Sequence, residues 1–273
     1  DNEKYAPFGL IKNDSIDKNS FNKWWKNRQI PASRNGLKEV LYKSGFYDED
    51  NFDLLDAKVY CLSLSDQYWV KKYNENILWE GINFFENEFS EDIGKVLFNG
   101  DKTSLNLNLN TPDMTSNGNY EKRWKIINGD RYLIKAGGKM INQEPFNEVI
   151  ATKLYERILN DDEYVKYELT YDNGKAVSIC KNFITPNTEL IPAWKIDEYY
   201  EAKKSENKYE HYIRCLNKLN IPNANLLVDK MLICDFILAN KDRHFNNFGV
   251  IRNVETLEFE KVAPIFDNGC SLW

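Results

Sequence analysis

The sequence predicts an α+β fold of two lobes with an N-terminal accessory module. Three observations predict it. Two turn signals, Asn128-Gly129 and Asp172-Asn173-Gly174, each separate apolar runs and mark hairpins, because such turns need positive φ at both central residues. One long helical stretch, 143–159, lies between them, and beyond the N-terminal module the remaining helical material is gathered after residue 195. The alternating βα units of a doubly wound parallel sheet are missing. This order divides the chain into an accessory module at 1–100, a first lobe at 101–184 and a second lobe at 185–273.

In the module, Ser20 is placed to cap a helix carrying Phe21, Trp24 and Trp25, and 34–42 reads as a second helix closed by Gly45. The tryptophans read as core packing. Segments 52–64, 82–85 and 93–97 are also apolar, and nothing in the module suggests chemistry; it reads as a docking or scaffold element. From 104 to 110 leucines alternate with asparagines, a strand with one buried face, and a polar loop follows at 115–122. The hairpin strands 123–127 and 131–135 come next, the second ending in Lys135 before Gly137-Gly138.

In helix 143–159, Asn142 is placed as the cap and Pro145 in the first turn. Phe146, Val149, Ile150, Leu154 and Ile158 form one apolar stripe, and Glu148, Ala151, Tyr155 and Leu159 form a second, less apolar face, so that a helix contacted on both sides places Glu148 against a strand. The second hairpin spans 165–170 and 176–183, and 185–192 reads as a loop between Pro186 and Pro192. Helices follow at 196–204, 209–219 and 226–239, then a polar loop at 240–247 and two β-rich runs at 248–252 and 257–262.

At 273 residues with 42% hydrophobic and 14% aromatic content, the chain has material for a sizeable core, and disorder is excluded. A net charge of −6 argues against direct nucleic-acid binding, which needs a basic face. Five scattered cysteines, none in CxxC, read as buried thiols in a reducing cytoplasm. Two histidines are too few for a histidine-rich metal site, and no apolar run reaches the roughly twenty residues of a membrane span. The first residues are no signal peptide, and the missing initiator Met suggests a processed or trimmed chain.

The chemistry concentrates at the end. Asp242, Asn247 five positions later and Asp267 twenty further on are brought together by a helix, a loop and a hairpin. Phosphoryl transfer needs such a set: one acid receives a hydroxyl proton, while an amide and a second acid hold magnesium on nucleotide phosphates. Arg243 either supports Asp242 or faces solvent, and His244 reads as a structural loop residue.

The stretches KDRHFNNFGV and APIFDNGCSL resemble the catalytic loop and metal-binding turn of HipA-like serine/threonine protein kinases, a bacterial family known for toxins. The stretch DRHFNN is also similar, more distantly, to the DRHxxN loop of phosphatidylinositol 3/4-kinases. The resemblance covers about 104–273 and implies a two-lobed kinase fold binding ATP and Mg²⁺, with Asp242 as catalytic base and Asn247 and Asp267 as metal ligands. It implies a phosphate-contacting role for Lys135, with Glu148 or Glu144 as its ion-pair partner. Thr115 or Ser116, with Gly118, matches the family's phosphate loop, whose hydroxyl is autophosphorylated. Main-chain groups from Lys181 to Phe183 fall where adenine binds. The implied partners are a protein substrate bearing Ser or Thr and an antitoxin protein. Family members continue beyond the point matching Trp273, so the second lobe reads as shortened. A kinase acting on a lipid or small molecule, and a non-catalytic nucleotide-binding module, remain as alternatives.

Overall fold

The computed structural model describes residues 3–12, 14–28, 42, 60–99, 108–116, 120–138 and 140–272. The helix expected over 34–42 apart from Tyr42, much of the 52–64 stretch, the start of the alternating strand and Gly118 lie outside them. The fold is α+β. A two-stranded ribbon, β1 (Ile11–Lys12) and β2 (Ser15–Ile16), leads into helix α1 (Lys18–Lys26). Asp17 caps α1: its carboxylate accepts the Ser20 N–H at 2.8 Å, so Ser20 lies inside the helix instead of capping it.

The chain divides into two compact units. The sheet unit comprises Asn22–Pro145 and Glu168–Asn182. Helix α2 (Asp92–Asn99) precedes strands β3 (Lys122–Ile127) and β4 (Asp130–Lys135). Asn128 at φ 51° and Gly129 at φ 84° form the tight turn that joins them. Helix α3 (Glu144–Ile158) starts at the unit's edge, and strands β5 (Tyr167–Asp172) and β6 (Lys175–Lys181) turn on Asn173 and Gly174, again at positive φ. The sheet order is β3-β4-β6-β5, and Lys135 lies opposite both Lys122 and Ser178. Phe98, Ile134, Ala136 and Val177 form a small core against one sheet face. Asn142 does not cap α3. It holds φ 51°, accepts the Gly137 N–H at 2.9 Å and donates to Ala176 O at 3.0 Å, while Glu144 takes the Gly138 N–H at 2.8 Å.

The loop unit comprises Asp1–Phe21, Phe146–Tyr167 and Phe183–Trp273. Residues expected in one first lobe at 101–184 thus contribute to both units. Strand β7 (Thr188–Pro192) leads into α4 (Ala193–Tyr199), α5 (Lys208–Lys218) and α6 (Ala224–Ile237); β8 (Gly249–Asn253) and β9 (Phe259–Val262) complete a β7-β8-β9 sheet. The segment read as a loop at 185–192 is therefore partly a strand. Glu189 and Ile191 are buried in alternation, and pairing with β8 overrides the proline signals. Asn207 and Glu210 form a capping box that starts α5. Tyr155, Ile191, Ile196, Leu216, Met231 and Val250 anchor the core, and Phe8 of the N-terminal segment packs against it.

Gly249 lets β8 meet β7. A Cβ there would lie 2.3 Å from Ile191 O, a main-chain atom that cannot rotate away. Gly249→Ala is expected to cost about 1–3 kcal/mol in urea unfolding; an unchanged midpoint would show that the strands can separate freely.

Candidate active site

The loop after α6 is shaped by its own polar residues. Asn240 donates through its main-chain N–H to Asp235 O at 2.8 Å and through Nδ2 to the Asp235 carboxylate at 3.0 Å, while its Oδ1 accepts the Asp242 N–H at 3.1 Å. His244 N–H donates to Asp242 O at 2.8 Å, and Asn247 Nδ2 reaches the same oxygen at 3.0 Å. Phe245 and Phe248 anchor the loop's end by packing on Tyr212, with ring centroids at 5.8 and 5.3 Å. The Asp242 carboxylate is left half exposed, at 50%, with His244 Nε2 at 3.8 Å. Asn247 makes its contacts through nitrogen and its main chain, so Oδ1 has no hydrogen-bond partner among the described residues.

Arg243 does not face solvent, the alternative left open by its place in a polar loop. Its side chain is 6% exposed, and all five of its N–H groups are used. Nε and Nη2 grip the two oxygens of Asp235 at 2.9 Å each. Nη1 donates to Asn247 O at 2.7 Å and to Phe266 O at 2.6 Å, and Nη2 donates also to Asn268 Oδ1 at 2.7 Å. Burial alone would lower its pKa; the bonds and charge of Asp235 outweigh that and raise it, so the guanidinium stays charged. One side chain thereby ties the loop carrying Asp242 and Asn247 to the turn carrying Asp267.

That turn is held from the other side by α3. Asn147 Nδ2 donates to Gly269 O at 2.7 Å and to Ser271 O at 2.6 Å. Glu148 accepts the Asn268 N–H at 2.8 Å, and the Tyr155 hydroxyl donates to Asn268 Oδ1 at 2.8 Å. Burial pushes the Tyr155 phenol far up, so it remains the donor. Asp267 itself adopts φ 60°, a left-handed conformation costly for a residue with a Cβ. Of the two faces expected of α3, the second, less apolar one is the buried one. Phe146, Ile150 and Ile158 of its apolar stripe are exposed, while Asn147, Glu148, Thr152 and Tyr155 are buried. The second face read from the sequence already holds Glu148 and Tyr155, and spacing adds Asn147 and Thr152 to it. Asn268 and Asp235 carried no signal beyond adjacency to the motif.

The sheet unit holds the other expected residues. Lys135 ends β4. Thr115 Oγ1 donates to Leu62 O at 2.7 Å, and Ser116 Oγ donates to Pro112 O at 3.0 Å and accepts from Trp124 Nε1 at 3.0 Å. The Lys181 ammonium is paired with Asp130 at 2.7 Å in an exposed contact, which leaves only its main chain for a ligand. Phe183 belongs to the loop unit. Its ring lies 5.5 Å from that of Phe266, and its main-chain N–H makes no hydrogen bond among the described residues. The structure thus groups Asp242, Asn247, Asp267, Glu148 and Phe183 in one unit, and Lys135, Thr115, Ser116 and Lys181 in the other.

No family model matches the chain. The chain is similar, over part of its length, to a serine/threonine-protein kinase. That protein is CtkA of Helicobacter pylori, 30% identical over 112 residues, which span 38% of this chain and 33% of CtkA. The match thus reaches about a third of the relative's length. The crystal structure of the H. pylori proinflammatory kinase CtkA aligns with a TM-score of 0.49 and 24% identity, over 58% of this chain and 56% of that one. No helix among the described residues is long and apolar enough to cross a membrane.

Proposed function

We propose that the chain is an ATP- and Mg²⁺-dependent serine/threonine protein kinase of HipA-like type. The observation that carries this reading is the Arg243 clamp, which joins the loop of Asp242 and Asn247 to the turn of Asp267 while leaving the Asp242 carboxylate half exposed. The partial similarity to a serine/threonine kinase supports it.

In this reading the substrate hydroxyl oxygen attacks the γ-phosphorus of ATP, the bond to the bridging oxygen breaks, ADP leaves and Asp242 receives the hydroxyl proton. The Asp267 carboxylate and the unpartnered Asn247 Oδ1 are hard oxygen donors, the set that suits Mg²⁺ shared with phosphates. Magnesium bound there would neutralise phosphate charge. Lys135 contacts the phosphates. Thr115 or Ser116 lies in the phosphate loop with Gly118, and main-chain groups of Lys181 and Phe183 hold adenine. The HipA-like type adds an antitoxin partner and a cytoplasmic setting to the proposal.

The first test is thermal unfolding with Mg²⁺-ATP. At 100 times the dissociation constant the ligand stabilises the fold by about 2.7 kcal/mol. EDTA is expected to shrink the gain in the wild type and to leave the smaller gain of Asp267→Ala unchanged. A wild-type chain that gains no stability from Mg²⁺-ATP contradicts the reading.

A further inference from the structure

We infer that residues 60–68 form a strap that couples the phosphate-loop end to the adenine end of the nucleotide site, and so belong to that site's supporting shell. This rests on the kinase reading. Two main-chain carbonyls of the strap, two residues apart, hold the two ends. Leu62 O accepts Thr115 Oγ1 at 2.7 Å, and Leu64 O accepts Asn182 Nδ2 at 3.1 Å. Asn182 is itself fixed, since its N–H donates to Arg131 O at 2.8 Å beside the end of β6. Leu62 and Leu64 are 1% and 2% exposed, so water cannot take over from either donor without opening the strap.

The strap is also braced from behind. Arg28 donates from Nε to Cys61 O at 3.1 Å and from Nη2 to Tyr68 O at 2.7 Å, and its Nη1 grips both oxygens of Asp66 at 2.8 and 2.7 Å. Tyr60 and Cys61 are both left-handed, at φ 53° and 50°. Two consecutive residues with side chains hold such a conformation only where their surroundings enforce it, and enforced strain gathers at functional sites. A segment this constrained transmits order: ligand that fixes one end lowers the cost of fixing the other.

The test is amide hydrogen exchange on the full chain, with and without Mg²⁺-ATP. Slower exchange at 120–138, at 176–183 and also at 60–68 is the expected result. Protection at the first two segments without any at 60–68 overturns the strap while nucleotide binding stands. No protection anywhere overturns the nucleotide reading and the strap with it. The affinity of Mg²⁺-ATP gives a second readout. Thr115→Val and Asn182→Leu are each expected to weaken it about tenfold, and the double variant by clearly less than the product. Multiplicative losses would show two independent contacts and contradict the coupling.

Discussion

Arg243→Met is expected to be the most destabilising single change in the loop unit, costing about 3–5 kcal/mol in chemical unfolding, because it strands the buried Asp235 carboxylate without its cation. Asn247 O and Phe266 O lose their donor at once, and Asn268 Oδ1 is left with the Tyr155 hydroxyl alone. The double variant Arg243→Met, Asp235→Leu removes the stranded charge and is expected to recover part of the stability. It is not expected to recover activity, since the loop and the turn stay untied. Arg243→Lys keeps the charge but offers three donors from one point instead of a planar fork of five. It therefore separates the two roles: stability partly retained, transfer strongly reduced. A double variant with wild-type activity would show that the clamp serves folding alone.

The second large effect belongs to the two acids. Asp242→Ala removes the half-exposed carboxylate to which the proposed kinase reading assigns the hydroxyl proton, and a loss of about 10²–10⁴-fold in rate is expected. Asp267→Ala removes a hard oxygen donor beside the clamp, and a loss on the order of 10³-fold is expected where metal and phosphate charge must be held. Neither change disturbs the Arg243 hydrogen bonds, which end on main-chain oxygens, Asp235 and Asn268. Both variants therefore keep the clamp's hydrogen bonds and are expected to lose far less stability than Arg243→Met. Activity and stability should separate in these variants and fall together in Arg243→Met.

The two hairpins were legible because Asn128-Gly129 and Asn173-Gly174 encode their turns locally, and both pairs adopt the positive φ that the residues suggest. The spacing of Asp242, Asn247 and Asp267 was legible as a motif, and the clamp brings the loop and the turn together. What the sequence concealed was non-local. The inward face of α3 is the less apolar of the two read from the sequence, because Asn147, Glu148 and Tyr155 are satisfied by a turn more than a hundred residues away. Arg243 in a polar loop gives no sign that Asp235, Asn247 O and two distant acceptors will bury it. Strand β7 was hidden by its flanking prolines, and the hold of Leu62 and Leu64 on Thr115 and Asn182 uses main-chain oxygens that no side-chain pattern reports.

The most direct measurement is incubation of the purified chain with Mg²⁺-ATP followed by phosphosite mapping, beside Asp242→Ala and Asp267→Ala. Phosphate on Thr115 or Ser116 is expected in the wild type and none in either variant. Undiminished phosphorylation in purified Asp242→Ala would contradict the role given to that carboxylate.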